Sequence, residues 1–445
     1  MLRAREADVF VIGIGECGSN LVGSYIQKQK EQKATSRFRE YLIMNTDRTD
    51  LSKTITEHSI PNRNTVLYSD EEIGVGGRFQ EGHDLVMKNK EIIYNQLESL
   101  GYEGVSGFII LTALGGGSGC GGTPALVELL HQKFSENRRI FIYVFGVLPF
   151  ENQSSEAINS IWCLSTLLRN QLEPNKGPNL IFLLSNKTML KRVMDWKAGR
   201  SVSVLNKSIG INGVDLSSRA IRSPQAEEEI DFTQLVNPLA LETIESILSP
   251  SIHEPGKKVM PTTDLADYSR RLDPVVVPCL FQDMTFFPEY GKMNKQFELA
   301  TRYAIKHCSL TQIDPEPNAG SVYSIFSGPK EISNLEYSGS LKSILAPYLV
   351  RGGSIQPSFV SYDEAPTDTS SVLLLFGLPR IPELKEVFND ATDLVRYHDD
   401  EKSSIKRGWF ERSKGTSREK LQIAMEDIQN LFGKYMTSLE EEDNI

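Results

Sequence analysis

Cysteine is scarce in this chain. Five residues in 445 (Cys17, Cys120, Cys163, Cys279 and Cys308) are scattered, odd in number and form no CxxC pair. Neither a disulfide framework nor a zinc site is implied, and the reducing cytoplasm fits this usage. Long apolar runs are missing too: none reaches the roughly 18 residues of a bilayer span, so no transmembrane segment is expected. The opening "MLRAREADVFVIGIG" passes from charges into a short apolar strand and then glycines, which is too short and wrongly flanked for a signal peptide. Positive charge is in deficit, with 48 Lys and Arg against 58 Asp and Glu for a net charge of -10. A broad grip on a phosphate backbone needs clustered cations, so direct nucleic-acid binding is not expected. The Walker A pattern GxxxxGK[ST] is absent as well.

What remains is ordinary for a globular protein with a sizeable core: 40% hydrophobic and 24% charged residues. Between Asp8 and Asn186, the runs "VFVIGIG", "YLIMNTD", "GFIILTA", "IFIYVFGVLPF" and "NLIFLLSN" alternate with longer helix-like stretches. These runs lack the polar alternation of half-exposed strands, so both faces are covered. The pattern predicts a parallel sheet wrapped by helices, with ligands at the carboxyl ends of the strands. Further on, "NPLALETIESILSP" predicts a central helix stopped by Pro250. "LDPVVVPCLF", "SVYSIFSG", "PSFVSYDE" and "SVLLLFGL" then predict strands, and "SGSLKSILAPYL" and "PELKEVFNDATDLV" helices, of a second and smaller α/β domain. A basic segment over 402–420 leads into "LQIAMEDIQNLFGKYMTSL", whose apolar residues share one helical face, either packed on the body or open to a partner. The closing "EEEDNI" is an acidic tail.

Glycine is concentrated where a phosphate would use it. "TALGGGSGCGGTP" (112–124) follows an apolar strand and precedes an apolar helix, with Pro124 suited to the first helical turn. Bare backbone lets an anion approach closely, and the helix start directs free N–H groups and a positive dipole end at it. A second turn, "VFVIGIGECGSNLV", sets Gly13, Gly15 and Gly18 in GxGxxG spacing, with Asp47 in "NTD" available as the acid of a dinucleotide fold. A Rossmann oxidoreductase leaves the longer glycine loop without a use. Two cradles on neighbouring strands suit one nucleotide held from both sides.

These loops resemble those of the tubulin/FtsZ superfamily of GTP-dependent filament proteins. "GGGSGCGGTP" is similar to the signature GGG[TS]GxG, and "IGIGECGSN" to the first nucleotide loop. "NTD" (45–47) resembles the second loop, "GVGGRFQEG" (74–82) the third, which senses the γ-phosphate, "LPFEN" the ribose loop and "LLSNKTML" the next. The resemblance implies nucleotide contacts at Gly15, Glu16, Cys17, Asn20, Asn45, Asp47, Gly76, Gly77, Arg78, Ala113, Gly115, Gly116, Gly117, Ser118, Gly119, Phe150, Glu151 and Asn186. Phe232 would stack on the base, with either Val236 or Asn237 reading it. "TTDLADYSRRL" resembles the NxDxxD loop, implying that Asp264 and Asp267 act as catalytic carboxylates in the next subunit's pocket. Thr262 stands at the Asn of that motif, and Ser155 or Glu156 where FtsZ has an arginine after its Phe-Glu pair. Such departures fit a divergent prokaryotic branch, TubZ-like, CetZ-like or non-canonical FtsZ-like.

The resemblance implies an α/β fold: a Rossmann-like GTP-binding domain over 1–228, a central helix and linker over 229–257, a smaller α/β domain over 258–400, and a basic linker, helix and tail over 401–445. It further implies a cytoplasmic GTPase that binds GTP and GDP with Mg2+, the metal near Glu16 and Asp47 indirectly, and polymerises head to tail with itself. An adaptor partner at the C-terminal helix or tail is a further expectation. The alternative is a nucleotide-binding filament protein with little or no hydrolysis.

Overall fold

The structure, a computed structural model, describes residues 7–31, 38–102, 104–134, 140–150, 153–197, 232–252, 256–260, 264–282, 290–313, 318–330, 332, 338–363, 371–377, 380–399, 423 and 426. In chain order the elements are β1 (Ala7–Ile14), α1 (Gly15–Glu31), β2 (Phe38–Asn45), α2 (Arg48–His58), β3 (Thr65–Leu67), α3 (Phe79–Lys88), α4 (Lys90–Ser99), β4 (Gly107–Ala113), α5 (Ser118–Phe134), β5 (Phe141–Leu148), α6 (Ser154–Gln171) and β6 (Leu180–Ser185). Then come α7 (Asn186–Lys197), α8 (Phe232–Leu248), β7 (Lys257–Met260), α9 (Leu265–Arg271), β8 (Val275–Phe281), α10 (Tyr290–His307), β9 (Ala319–Pro329), α11 (Ser338–Leu345), β10 (Leu349–Tyr362), β11 (Ser371–Gly377) and α12 (Pro382–Asp399). Two compact units divide the chain: Glu6–Leu183 with Pro379–Ile445, and Leu184–Leu378 with Met1–Arg5.

In the first unit the strands run in the order β3-β2-β1-β4-β5-β6, and the pairs from β3 to β5 are all parallel. The apolar runs read as buried on both faces are so: Val9, Phe10, Ile12, Phe108, Ile109, Ile142 and Val144 are fully buried. Each such side chain contributes about 1.5–3 kcal/mol relative to exposure. Register sets where the loops emerge. Val66, Met44, Ile14, Thr112 and Gly146 stand opposite one another in a single row across five strands. Their chains therefore leave the sheet together, and every loop after them emerges on one rim. On the flank of this unit, α12 packs against α6.

One local expectation needs correction. The helix after the glycine loop starts at Ser118, so Pro124 lies inside α5 and not in its first turn. Tertiary packing overrides the weak helix propensity of Gly119, Gly121 and Gly122. A Cβ on Gly121 would stand 2.0 Å from the carbonyl oxygen of Phe79, so only a glycine helix start lets α3 come this close to α5.

The second unit holds the strand order β8-β11-β9-β10-β7, antiparallel between β11 and both β8 and β9 and between β10 and β7, and parallel between β9 and β10. α10 covers β8 and β11, and α8 packs against α7. The central helix ends at Leu248 in a 3-10 turn, Ser249–Ser251, that contains Pro250, as expected of a stop. Tyr268 of α9 is fully buried and donates its hydroxyl to the carbonyl of Ile247 at 3.0 Å, tying the acid-bearing helix to the end of α8. Among the described residues no helix is long and apolar enough to cross a membrane.

An equally tight approach in the first unit is that of α1 to β4, where a Cβ on Gly18 would lie 2.0 Å from the backbone oxygen of Leu111. Neither backbone can yield without breaking a strand pair. Gly18→Ala is expected to lower the unfolding free energy by about 3 kcal/mol, the overpacking range, in urea denaturation followed by circular dichroism. A loss below about 0.5 kcal/mol would show that the two elements are not held at this distance.

Candidate functional site

The rim of the first unit gathers the two glycine turns. Gly15, at φ 73°, takes the chain from β1 straight into α1, a conformation that costs a residue with a Cβ and not glycine. Its own Cβ would lie 2.9 Å from the backbone nitrogen of Gly119, so the first turns of α1 and α5 abut. Two helix N-termini with unpaired N–H groups and positive dipole ends thus converge on one spot, which is the physical requirement for holding a polyanion. Between them runs the loop 114–118. A Cβ on Gly115 would strike Glu156, and one on Gly117 would strike Val75 and Gly77, but one on Gly116 meets nothing within 4 Å. The loop is packed on both flanks and open in its middle.

Side chains fix this shape. Thr46 and Ser118 share a hydroxyl hydrogen bond at 2.5 Å, and Tyr68 donates to the carbonyl of Ser118 at 3.0 Å. Asn45 is buried, its Oδ1 accepting the N–H groups of Thr46 and Asp47, while its Nδ2 has no partner in the structure. A buried donor left over at a rim of backbone donors suits an anionic or polar ligand. Asn20 accepts from Thr54 at 2.7 Å, bracing α1 against α2.

Asp47 caps α2. Its Oδ1 accepts from the N–H groups of Thr49 (2.7 Å) and Asp50 (3.1 Å), and its Oδ2 from that of Gly74 (3.0 Å). The Asp50 N–H first, with those of Gly74 and Thr49, holds its carboxyl below the usual range in spite of some desolvation. Through Gly74 the same carboxylate anchors the loop 74–78, in which Gly76 and Gly77 have φ 57° and 74°. Arg78 donates to Val75 O at 3.0 Å and pairs with Glu81 at 2.7 Å. Cys17 is half-buried at the start of α1, and burial first, then the carboxylates of Glu16 and Glu156, push its thiol up to about 12. Both acids therefore stand close to the cradle. Phe150 donates its N–H to Gln153 Oε1 at 2.9 Å.

One residue the sequence reading missed sits at the centre. Asn159, on α6 and almost fully buried, donates from one Nδ2 to the carbonyls of both Gly77 and Gly115, each at 2.9 Å. Its signal was a pair of polar residues, Asn159 and Ser160, within the apolar face of "AINSIWCL". Tyr68 was missed too, because nothing local marks a tyrosine after a three-residue strand as a partner of residue 118.

The remaining expected residues belong to the second unit. Asn186 opens α7, and Phe232 opens α8. Val236 is buried to 1% exposure, whereas Asn237 is half-buried, which leaves Asn237 as the accessible polar side chain of that pair. Asp264 is exposed and caps α9 by accepting from Ala266 N at 3.2 Å, and Asp267 reaches back to Asp264 N at 3.2 Å and pairs with Arg270 at 3.0 Å. The two acids thus form a capping box, a local structural duty beside any chemical one. Glu151, Thr262 and nearly all of the C-terminal linker, helix and tail lie outside the described residues.

Comparison with known proteins agrees with this geometry. Residues 8–191 match the Tubulin/FtsZ family, GTPase domain. Tubulin-like protein CetZ1 of Haloferax volcanii is 23% identical over 235 residues, 52% of this chain and 56% of that protein, so the match spans about half of the relative. Among solved structures, the GDP-bound monomer of H. volcanii CetZ1 superposes with a TM-score of 0.64 at 16% identity, covering 87% of this chain and 99% of the other. The GTPγS-bound protofilament of H. volcanii CetZ2 gives 0.63 at 17% identity, covering 88% and 99%. The chain has the tubulin/FtsZ fold. Over residues 8–191 it is similar to the GTPase domain of the Tubulin/FtsZ family, and the relatives it matches are tubulin-like CetZ proteins.

Asp47 ties this rim to acid. Because its folded pKa is depressed, it adds stability above its unfolded value that is lost as pH falls through the folded one. Asp47→Asn is expected to cost about 1 kcal/mol of unfolding free energy at pH 7, with the gap from wild type closing below about pH 4 in chemical denaturation at stepped pH. A gap independent of pH would mean that the carboxylate charge is not what anchors Gly74.

Proposed function

We propose that this protein binds GTP and GDP on the rim of its first unit, polymerises head to tail with itself, and hydrolyses GTP at the contacts so formed. The observation that carries the reading is the meeting of two helix N-termini, α1 and α5, around a loop whose middle glycine, Gly116, is the one place there where added atoms meet nothing. In this reading Gly15, Glu16, Cys17, Ala113 and Gly115–Gly119 surround the α- and β-phosphates, with Asn20, Asn45 and Asp47 behind them. Gly76, Gly77 and Arg78 meet the terminal phosphate. Phe150 and Glu151 face the ribose, and Asn186, Phe232 and Asn237 hold the base. Two structural neighbours, a GDP-bound CetZ1 monomer and a GTPγS-bound CetZ2 protofilament, support both the nucleotide and the assembly.

Mg2+ fits as a companion of the phosphates. Among the described residues no three His, Cys, Asp or Glu side chains gather to hold a metal by themselves. Asp47 has both oxygens on backbone N–H groups, and Glu16 stands in the first turn of α1 beside Cys17, so both suit contact through water. Bound Mg2+ would neutralise phosphate charge as it moves toward the leaving oxygen. The chain's own carboxylates, Asp264 and Asp267 of a neighbouring subunit, would orient and polarise the attacking water. In this reading the rim of one subunit takes the acid loop of another, so the contact joins two unlike patches, is heterologous and builds an open filament. We place the protein in the cytoplasm, with an adaptor at its C-terminal helix or tail.

One observation favours the slower alternative. Asp267 already has an oxygen on Asp264 N and another on Arg270, so its service as a base competes with bonds it makes at home. A filament protein with weak hydrolysis is the outcome if those bonds persist in the polymer.

Two experiments test these readings. Gly116→Ala is expected to fold with wild-type stability, since its Cβ is unopposed, but to lose about tenfold or more in GTP affinity, measured with a fluorescent nucleotide. Unchanged affinity would remove the loop from the phosphate site. Pelleting and phosphate release are followed with GTP, ATP and a slowly hydrolysed GTP analogue, in wild type and in Asp267→Asn, which keeps an acceptor for the capping box. The variant should assemble with GTP but release phosphate about a hundredfold more slowly. Failure of the wild type to assemble with any nucleotide would overturn both filament readings, and assembly without phosphate release would leave the slower one.

A further inference from the structure

The two glycine loops of the rim come from distant parts of the chain, 74–78 and 114–118, and no backbone ladder joins them. They touch at Gly117, against Val75 and Gly77, and one amide hydrogen-bonds to both. Asn159 spends both hydrogens of its Nδ2 on loop carbonyls, Gly77 O at 2.9 Å and Gly115 O at 2.9 Å, from a position on α6 only 3% exposed. Glu156, one turn earlier on the same helix, packs its Cβ where a side chain on Gly115 would have to go. α6 thus seats the second loop by contact and ties it to the first by hydrogen bonds.

The direction of those bonds matters. In a trans peptide the carbonyl and the following N–H point opposite ways. With Gly115 O turned onto Asn159, the N–H of Gly116 is turned away from α6. With Gly77 O held in the same way, the N–H of Arg78 is aimed back at Val75 O, which it meets at 3.1 Å, closing the turn of that loop. A donor on a carbonyl also polarises its peptide and strengthens the N–H at the far end.

We propose that Asn159 is a positioning residue that makes the two glycine loops one cradle, aiming the Gly116 N–H at the ligand and passing to one loop the constraint that a phosphate places on the other. This rests on the guanine-nucleotide reading of the rim, in which the 74–78 loop meets the terminal phosphate. A ligand that touches both loops then depends on Asn159 more than a ligand that touches only one. Asn159 sets the preference for triphosphate over diphosphate without touching either.

The test is Asn159→Asp, of the same size but with a carboxylate oxygen facing two carbonyls in place of two N–H donors. Affinities for GTPγS and GDP are measured on wild type and variant under non-assembling, dilute conditions, with a thermal melt of each. The GTPγS-to-GDP affinity ratio is expected to fall about tenfold while the melt remains cooperative. A purely structural role would lower both affinities together and leave the ratio at its wild-type value, and that result overturns the proposal. Wild-type protein that binds neither nucleotide would instead overturn the nucleotide reading on which it rests. Should the variant not fold, hydrogen exchange on wild type decides: on GTPγS addition the amides of 74–78 and 114–118 must gain protection together, and protection of one loop alone sinks the coupling.

Discussion

The register of the parallel sheet in the first unit is the constraint on which the rest depends. Because Val66, Met44, Ile14, Thr112 and Gly146 lie in one row, the chain leaves each strand at the same height. A slip by one residue in any pair would exchange the faces of a strand and also lift its loop out of the rim. Register is fixed by close packing that tolerates no side chain, above all Gly18 against Leu111 O and Gly121 against Phe79 O. These contacts bind helix to strand and helix to helix through backbone alone. The cradle is then a matter of geometry: two helices that must start beside each other carry their N-termini to the same place.

Much of this was legible in the sequence, for reasons specific to each segment. Strands β1, β2, β4, β5 and β6 announced themselves as short apolar runs, four of the five closed by Gly, Asn, Asp, Pro or Ser, because burial on both faces leaves no room for polar alternation. β3 and β7 did not: three and four residues are too few to show a period, and each exists by pairing with a longer neighbour. The start of α5 was misjudged because glycine reads locally as loop, whereas here its use is to let α3 approach. The placement of the glycine loops at the ends of strands and the starts of helices was readable from composition and order alone, and it is this placement that the proposed anion site uses. Their bracing by Tyr68, Thr46 and Asn159 was not, since those partners lie 50, 72 and, from Asn159 to Gly115, 44 residues away in sequence. Asp264 and Asp267 show the converse case. A pair of acids three apart reads equally as catalytic or as a helix cap, and the structure gives them the cap in the isolated chain.

The electrostatics of the rim have two layers. At its face are uncharged donors, the N–H groups of helix starts and glycine loops, and beside them stand carboxylates, Asp47, Glu16 and Glu156. Fixed cations are few there: Arg78 is the charged residue of its loop, and it is paired with Glu81. In the proposed reading such a site would hold phosphates by direction and not by net charge. It therefore depends on the orientation of peptide groups, and so on the residues that brace them.

The short outer strands have a consequence for how such a chain can associate. In the first unit β3 is three residues long beyond β2, and in the second β7 is four residues long beyond β10 and carries Lys257 and Lys258. Margins this brief, one of them lysine-bearing, make poor templates for adding another chain strand to strand. Subunits so shaped are steered away from the near-permanent pairing of cross-β aggregates and toward contacts between loops and side chains, which can be made and unmade. For a protein whose proposed task is to assemble and come apart, the blunted edges guard reversibility.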